Sequence, residues 1–561
     1  MVSNTKNISW RNQEPLRDFL FLVIVASIIY LPFLGQPAWD GNEPKRAIVA
    51  REMLKTGNYF SPVIHGQPYF VKPPLMNWLI AAGGGLFGGV NEWTARLSSV
   101  LMTFATSLML YFLTGRWLSR QSRFFAALAF LTMIGIMGKG RTAEIDSLFI
   151  FLVTLNLLVW IYGYTRQWKA YILWTVSLSL LAVSFLSKGP QSLAIFYSTV
   201  FAYLLIKKRL KLFFSLSHLS GLIVLVLLLG CYLLSVLQHV RFEDYLSMWR
   251  DQILQRSVSK HSFSFIEHFV LYPLRIMPQF MPWLLFALPL FFLKDLRRKL
   301  SEYYNNELFV FSLIMVVANI PLYWFLPNTR VRYVLPVGPF IAIALAFIFD
   351  LYLKQATNYQ QFFRRAMKHI AIAALLASCM AVPIVLFLHM QFTPALILLL
   401  AALALLSFAI ILTIHSADIQ HALLSIAFIT GLIFLVYTEL DVRYDMKKVY
   451  YPRKVSSEIL NILPRDAEPI YEIGFDRFLR VTSYLDREVI QLDSFSQLKK
   501  ADDRGKVYFI FDIDFLKNIT PEQDRNIMLQ DIAWEKVYSG RFEPGRNEIV
   551  VGYLKERLLI K

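Results

Sequence analysis

Residues 36–75 read QPAWDGNEPKRAIVAREMLKTGNYFSPVIHGQPYFVKPPL, and this stretch separates an apolar segment that ends near Leu34 from a long series of further apolar segments. A polar stretch in this position is predicted to lie at a membrane surface. It carries two carboxylates, Asp40 and Glu43, ahead of several cations, and it closes on a rigid Lys-Pro-Pro sequence that begins at Lys72. A loop that only joins two helices needs few such groups, so we predict that this stretch forms part of a functional site.

The composition of the chain predicts an integral membrane protein. Of its 561 residues, 56% are hydrophobic and only 17% are charged, which is too apolar for a soluble globular protein. The formal net charge of +18 comes from short clusters of Lys and Arg between apolar segments. Such clusters are typical of topology determinants and not of a nucleic-acid-binding face, so we predict no nucleic-acid partner.

About 13 apolar segments are long enough for a transmembrane helix, which needs roughly 20 residues. The basic clusters fall at alternate connections between these segments, which predicts that those connections are cytoplasmic. We therefore predict a multi-pass protein of the inner membrane with a cytoplasmic N-terminus and a periplasmic C-terminal region. The segments lie at 19–34, 95–114, 124–138, 146–164, 170–187, 191–206, 219–237, 275–293, 308–326, 334–353, 370–390, 394–414 and 421–438.

The chain is predicted to divide into two domains because its composition changes after Thr438. Residues 1–440 form a mostly α membrane domain, whose first outer loop at 36–91 contains an amphipathic helix over 42–55. Residues 441–561 form a small α/β soluble domain that follows a linker at 441–453, with strands at 469–473, 489–492, 507–513 and 549–553 and a helix at 524–532.

Several cations lie on the outer side, where the topology rule predicts few of them. This departure suggests that an anion such as a phosphate binds there, although binding of phospholipid headgroups would explain each cation singly. His261 and His268 lack the spacing of metal ligands, so we assign no residues to a metal site. A divalent metal cofactor is left open. The candidate phosphate-binding residues from these outer loops are Lys72, Arg141, Lys188, Arg256, Arg330 and Arg332, with Tyr333 beside the last.

Three carboxylates on the outer side are candidate catalytic groups. Asp40 and Glu43 lie at the start of the predicted helix over 42–55, and Asp146 begins the fourth predicted span. A carboxylate in such a place could act as a general base or orient a nucleophile. The alternative roles are a capping acid for Glu43 and an N-cap for Asp146.

Four segments of the chain together resemble a known family. They read WDGNEPKRAIVAREMLKTGNYFSPVIHGQPYFVKPPLMNW at 39–78, RTAEID at 141–146, SKGP at 187–190 and RVRYVLP at 330–336. In this order they resemble the polyprenyl-phosphate-sugar-dependent glycosyltransferases of GT-C architecture, which include lipid A aminoarabinose transferase and, more distantly, protein O-mannosyltransferases. The resemblance covers the membrane region to about residue 350.

The resemblance implies roles for particular residues. Glu43 matches the acid at the start of the family's first outer helix, Lys72 its donor-phosphate lysine, Asp146 its second acid and Tyr333 its late phosphate-contacting loop. Two positions depart from the family pattern. Asn42 replaces the usual Asp, so Asp40 or Glu43 would have to serve as the base, and Val71 replaces the acid that precedes Lys-Pro in aminoarabinose transferases.

The sequence thus predicts a membrane glycosyltransferase that moves a sugar from a polyprenyl (undecaprenyl) phosphate to a lipid-linked or cell-envelope acceptor such as lipid A, with inversion. Its expected partners are this donor, the lipid or glycan acceptor and membrane lipids. The alternatives are a transporter or flippase for lipid-linked glycans, which should carry charges within its spans, and a ligase that transfers a whole glycan.

Overall fold

The structure is a computed structural model that describes residues 6–247, 250, 265–326, 329–354, 357–414, 419–446, 451–473, 478–492, 497, 507–512, 534–543 and 546–554. The chain divides into two compact units. The membrane unit comprises Met1–Leu34, Val71–Met76 and Arg96–Leu440, and the second unit comprises Gly35–Phe70, Asn77–Ala95 and Asp441–Lys561. The membrane unit ends at residue 440, and most of the first outer loop groups with the C-terminal segment.

The membrane unit is built from helices that alternate with short connections. By length and composition, the described residues contain nine helices able to cross a membrane, or up to 11 if each of two bent pairs counts as one span. Its α-helices are Lys6–Tyr30, Glu92–Leu113, Arg120–Leu131, Ile134–Gly140, Asp146–Thr165, Ala170–Lys188, Gln191–Ile206, Leu210–Phe213, Leu216–Leu237, Phe265–Ile276, Pro289–Phe292, Lys294–Ser301, Glu307–Trp324, Gly338–Leu353, Thr357–Phe387, Pro394–Thr413 and Ile419–Met446.

Every one of the predicted spans corresponds to a helix or to a bent pair of helices. The described part of the chain has up to 11 candidate spans where about 13 were predicted. The difference arises because two of the predicted spans are too short or too polar to count as membrane-crossing helices. The helix Lys6–Tyr30 is polar in its first half, and Gln191–Ile206 has only 16 residues. The bent pairs are Arg120–Leu131 with Ile134–Gly140, at 61°, and Phe265–Phe280 with Trp283–Phe292, at 104°.

Aromatic rings and a few buried polar groups hold these helices together. Trp160 stacks on Phe311 with ring centroids 5.7 Å apart, and Phe125 stacks on Phe349 at 4.6 Å. The side-chain Nδ2 of Asn319 donates to Thr199 Oγ1 at 2.9 Å, and this hydrogen bond links the helices Gln191–Ile206 and Glu307–Trp324. In a lipid environment, close packing and such interhelical hydrogen bonds drive helix association.

The second unit contains a small mixed sheet. This sheet has five strands, which are β3 (Ile470–Ile473), β4 (Val489–Leu492), β5 (Tyr508–Asp512), β6 (Trp534–Glu543) and β7 (Arg546–Leu554). Their order in the sheet is β4-β3-β5-β7-β6. The first three of these pair in parallel, and β7 runs antiparallel to both β5 and β6. Strands β1 (Val63–Ile64) and β2 (Gln67–Pro68) form a short hairpin, and the helices are Glu43–Thr56, Leu75–Leu86, Pro452–Ile462 and Leu479–Thr482.

The predicted strands at 469–473, 489–492, 507–513 and 549–553 all occur, whereas β6 is not foreseen from the sequence. The predicted linker at 441–453 is wrong in its first part, because the helix Ile419–Met446 continues through it. The helix predicted at 524–532 lies outside the described residues.

The helix predicted over 42–55 is present as Glu43–Thr56. Proline at its first turn suits a helix start, and Gly57 ends it in the left-handed conformation with a φ of 71°. Ala47 and Ile48 are buried and the helix packs on β1, so protein and not the membrane covers these two side chains. Leu54 is 38% exposed.

A partly buried network of hydrogen bonds joins the first outer loop to the C-terminal segment within the second unit. The hydroxyl of Tyr484 donates to Glu92 Oε1 at 2.6 Å and accepts from the backbone N–H of Trp39 at 2.8 Å. Arg453 Nε donates to the same carboxylate oxygen at 3.0 Å. These contacts explain why residues far apart in the sequence form one compact unit.

Replacing Tyr484 by phenylalanine should destabilise this unit. The substitution removes one hydroxyl that both donates and accepts, which should cost about 1–2 kcal/mol of unfolding free energy. Thermal unfolding of the purified protein measures the loss. The control is Tyr59→Phe, since the Tyr59 ring is 37% exposed and its hydroxyl makes no hydrogen bond among the described residues. Equal unfolding temperatures for the two variants would contradict the network's role.

Candidate functional site

A cluster of charged side chains lies at the start of the membrane helix Asp146–Thr165. We call it the Asp146 cluster and define it as Lys139, Glu144, Asp146, Lys188 and Arg332. Lys188 Nζ donates to Asp146 Oδ1 at 2.7 Å, and Arg332 Nη1 lies 3.6 Å from Asp146 Oδ2. Asp146 and Lys188 are 3% and 7% exposed. Three cations therefore surround two carboxylates in a largely buried place.

The local sequence explains how the connection before Asp146 is shaped. The helix Ile134–Gly140 ends at a glycine whose added Cβ would lie 2.5 Å from the ring of Tyr30, so only glycine permits this approach. The hydroxyl of Ser147 then donates to the carbonyl of Lys139 at 3.0 Å and closes the loop. Ile145 occupies the N-cap position of the next helix, so the N-cap role considered for Asp146 is wrong and its carboxylate is turned to the cluster.

Lys188 is placed by the way its helix ends. The helix Ala170–Lys188 stops at Gly189, which has a φ of 73°, and Pro190 follows. A positive φ is readily adopted only by glycine, and a proline next to it cannot continue the helix. The ammonium of Lys188 lies 4.9 Å from the centre of the Phe149 ring and 4.8 Å from that of Tyr333. The two rings and Asp146 therefore fix a cation at one point, and Tyr333 belongs to the site through this contact.

Glu144 organises the other two cations of the cluster. Lys139 Nζ and Arg332 Nη1 each donate to Glu144 Oε2 at 2.5 Å. Burial alone would raise the pKa of Glu144, but the two cations outweigh it and lower the pKa to about 2. Glu144 is thus ionised at every pH at which the protein would work.

Replacing Glu144 by glutamine should give a stability loss that depends on pH. The folded-state pKa of about 2 lies below the ordinary 4.5, so the stabilisation from ionised Glu144 is complete above pH 4.5 and is lost as the pH falls towards 2. We expect Glu144→Gln to unfold at a lower temperature than the wild type at neutral pH, and the gap to narrow in acid.

Thermal unfolding across this pH range measures the gap. The matched control is Glu302→Gln at an exposed position, which should show little difference at any pH. A gap that stays constant as the pH falls would contradict the role given to the charge of Glu144.

The other predicted phosphate-binding residues of the membrane unit have different surroundings. Arg141 is buried, and its guanidinium donates to the backbone carbonyls of Ile29 and Pro32, so two of its donors hold the end of the first helix. Arg330 is exposed and Lys72 is partly buried. Arg256 and His261 lie outside the described residues.

Asp40 and Glu43 lie in the second unit. Glu43 is 1% exposed, and its Oε2 accepts a hydrogen bond from the backbone N–H of Asp40 at 2.9 Å. The capping role considered for Glu43 is therefore present, and a chemical role stays a prediction. Asp40 is exposed and forms an ion pair with Arg480.

The described ranges contain no group of three or more His, Cys, Asp and Glu side chains that could hold a metal ion. His268 is buried, with its ring 4.7 Å from that of Tyr272 and its Nε2 3.4 Å from the carbonyl of Tyr323. It is a packed residue of the membrane unit.

Lys139 and Glu144 belong to the cluster but are not among the site residues predicted from the sequence. The signal was present, because both precede Asp146 within eight positions and Glu144 lies in the RTAEID segment. Their partner Arg332 is 188 positions away from Glu144, and only the folded chain brings them together.

Comparisons with known proteins agree with this architecture. Residues 71–232 match the family model described as dolichyl-phosphate-mannose-protein mannosyltransferase. A protein of Aquifex aeolicus, named only as uncharacterized, is 28% identical over 484 residues, which cover 85% of this chain and 88% of that protein.

One relative with a named activity is the undecaprenyl phosphate-alpha-4-amino-4-deoxy-L-arabinose arabinosyl transferase of Pseudomonas savastanoi pv. phaseolicola. It is 29% identical over 237 residues, which cover 42% of this chain and 43% of that enzyme. The alignment thus spans less than half of this relative. This relative is named as a transferase, and the reported comparisons give no support to the transporter alternative.

Among solved structures, ArnT from Cupriavidus metallidurans bound to undecaprenyl phosphate has a TM-score of 0.69 to this chain at 18% identity. The match covers 95% of this chain and 97% of that one. The chain therefore has the GT-C membrane fold, and its resemblance to the polyprenyl-phosphate-sugar-dependent glycosyltransferases of the aminoarabinose transferase and protein mannosyltransferase type is confirmed.

Proposed function

We propose that the protein is a membrane glycosyltransferase. It moves a sugar from a polyprenyl phosphate of the undecaprenyl type to a lipid-linked or cell-envelope acceptor such as lipid A. The named relative uses an undecaprenyl-phosphate-linked sugar, and the fold matches an ArnT structure that holds undecaprenyl phosphate. The alternating basic clusters support a reaction at the periplasmic face of the inner membrane.

One observation carries this proposal. In the Asp146 cluster, Arg332 Nε and Asp146 Oδ2 are both buried and have no hydrogen-bond partner among the described residues. Buried polar atoms almost always make hydrogen bonds, so a buried donor and a buried acceptor that make none in one cluster favour groups that a substrate satisfies. A guanidinium N–H suits a phosphate oxygen, and a carboxylate oxygen suits an acceptor hydroxyl.

The reaction that fits these groups is a single displacement at the anomeric carbon. The acceptor oxygen forms a bond to this carbon as the bond to the phosphate oxygen breaks, so the configuration inverts. The acceptor proton passes to a carboxylate, and the polyprenyl phosphate leaves with the electron pair. Lys188 and Arg332 stabilise the charge on that phosphate, the kind of fixed electrostatic stabilisation that supplies the largest share of many rate enhancements.

The sequence-based roles of the other residues belong to the same proposal. Lys72, Arg256 and Arg330 are further candidates for contact with the donor phosphate. Asp40 or Glu43 would supply the base that the family places at the position of Asn42. Single substitutions Asp40→Asn and Glu43→Gln separate these two, because only the base should be needed for turnover.

The test uses the purified full-length protein with a radiolabelled mixture of polyprenyl-phosphate sugars and a total lipid extract as acceptor. Transfer of label to a lipid acceptor, with the anomeric configuration inverted, is the expected result. If the label does not move in this assay but the labelled lipid crosses the bilayer of proteoliposomes, the protein is a transporter and the proposal fails.

A further inference from the structure

The membrane unit contains a second charged concavity that the proposed reaction does not use. It is a cavity of about 1290 Å³ formed where several helices end or begin. Its lining includes the aromatic rings of Trp117 and Tyr164 and a single carboxylate, Glu307. Four cations line it as well, namely Arg116, Lys208, Arg209 and Lys211.

This cavity lies at the opposite end of the membrane helices from the Asp146 cluster. The helix Asp146–Thr165 begins with the cluster residue Asp146 and ends with Thr165, which lines the cavity. Its 20 residues separate the two ends by about 28 Å at the α-helical rise. The cavity is therefore at the other membrane surface, where the basic clusters predict the cytoplasm.

The described residues do not balance the positive charge of this cavity. Glu307 is already engaged, because Lys207 Nζ lies 2.9 Å from its Oε2 and the Tyr203 hydroxyl donates to the same oxygen. None of the four lining cations has a carboxylate within ion-pair distance among the described residues. Cations without carboxylate partners that converge on a cavity attract an anion. Cations that only set the membrane topology would not need to line a cavity.

Apolar side chains next to these cations indicate the kind of anion. Leu205 lines the cavity and is 51% exposed, while Phe214 and Leu216, on either side of the lining residue Ser215, are 75% and 84% exposed. In a membrane protein such side chains face acyl chains. A phosphate group between cations, with hydrocarbon beside it, is the chemistry of a phospholipid at the bilayer surface.

We propose that this cavity binds the phosphate headgroup of an anionic phospholipid from the leaflet at this end of the membrane unit. The two arginines suit bidentate contacts to the phosphate, and the two lysines add point charges. The acyl chains lie against the exposed apolar residues near Ser215. This site is separate from the sugar-transfer site and does not depend on the proposed reaction.

The test is lipid binding to the full-length protein in detergent, measured by native mass spectrometry with phosphatidylglycerol and, in parallel, phosphatidylcholine. The variant is the triple substitution Lys208→Gln, Arg209→Gln and Lys211→Gln. Each cation near an anionic lipid contributes about a fivefold factor in affinity, so the triple variant should bind phosphatidylglycerol on the order of 100-fold more weakly. Phosphatidylcholine binding should change little.

A matched control removes three cations elsewhere on the predicted cytoplasmic side. The triple variant Arg297→Gln, Arg298→Gln and Lys299→Gln changes the helix Lys294–Ser301, whose residues do not line the cavity, and it should keep the wild-type affinity. Thermal unfolding of both variants checks that each is folded. Equal losses in the two triple variants, or none in either, would overturn the proposal. Displacement of the lipid by inorganic phosphate alone would also overturn it, since the cavity would then be a site for free phosphate.

Discussion

Asp146→Asn should abolish most of the sugar transfer while leaving the donor bound. Asparagine keeps the shape of the side chain but removes the charge that Lys188 and Arg332 face. If the carboxylate orients or deprotonates the acceptor, its loss should lower kcat by about 100-fold or more. Steady-state kinetics with the purified enzyme measure kcat and KM separately.

The control for this prediction is Asp295→Asn. Asp295 is also an acid in the first turn of a helix, but it is exposed and pairs with Arg298 and Lys299 at the surface. It should retain the wild-type kcat. Transfer by Asp146→Asn at a rate close to wild type would remove Asp146 from the reaction centre and leave its pairing with Lys188 as a structural contact.

A double-mutant cycle on Lys188 and Asp146 should distinguish their contribution to folding stability from their contribution to sugar transfer. Both side chains are nearly buried and bond directly at 2.7 Å. Lys188→Met leaves Asp146 with only the longer contact to Arg332, and Asp146→Asn leaves the ammonium without its counter-charge. Each single substitution should cost about 3 kcal/mol of unfolding free energy because it strands a buried charge.

The double variant Lys188→Met with Asp146→Asn should be more stable than the sum of the single losses predicts, since neither charge is then stranded. Its transfer activity should nevertheless stay as low as that of Asp146→Asn. Thermal or denaturant unfolding gives the coupling energy, and the transfer assay gives the activity. Strictly additive stability losses would mean that the two charges do not depend on each other in the folded protein.

The class of protein and its helices follow from local properties of the sequence. In a bilayer, a run of apolar residues satisfies its backbone hydrogen bonds by forming a helix, so each predicted span appears as a helix or a bent pair of helices. The helix Glu43–Thr56 is likewise visible from its proline and its bounding glycine. Asp146 and Lys188 can be predicted as site residues because a charge next to a membrane span costs free energy and usually has a functional role.

The tertiary structure decided which of these charges meet. Lys139, Glu144, Asp146, Lys188 and Arg332 come from three separate connections, and no local pattern states that Arg332 lies against Glu144 across 188 positions. It also decided that most of the first outer loop folds with the C-terminal segment, through Glu92, Tyr484 and Arg453. The helices can be predicted from the sequence because helical hydrogen bonds and apolar runs are local. Only the packing of distant segments determined the charged cluster, because its energy comes from contacts that form when the whole chain is folded.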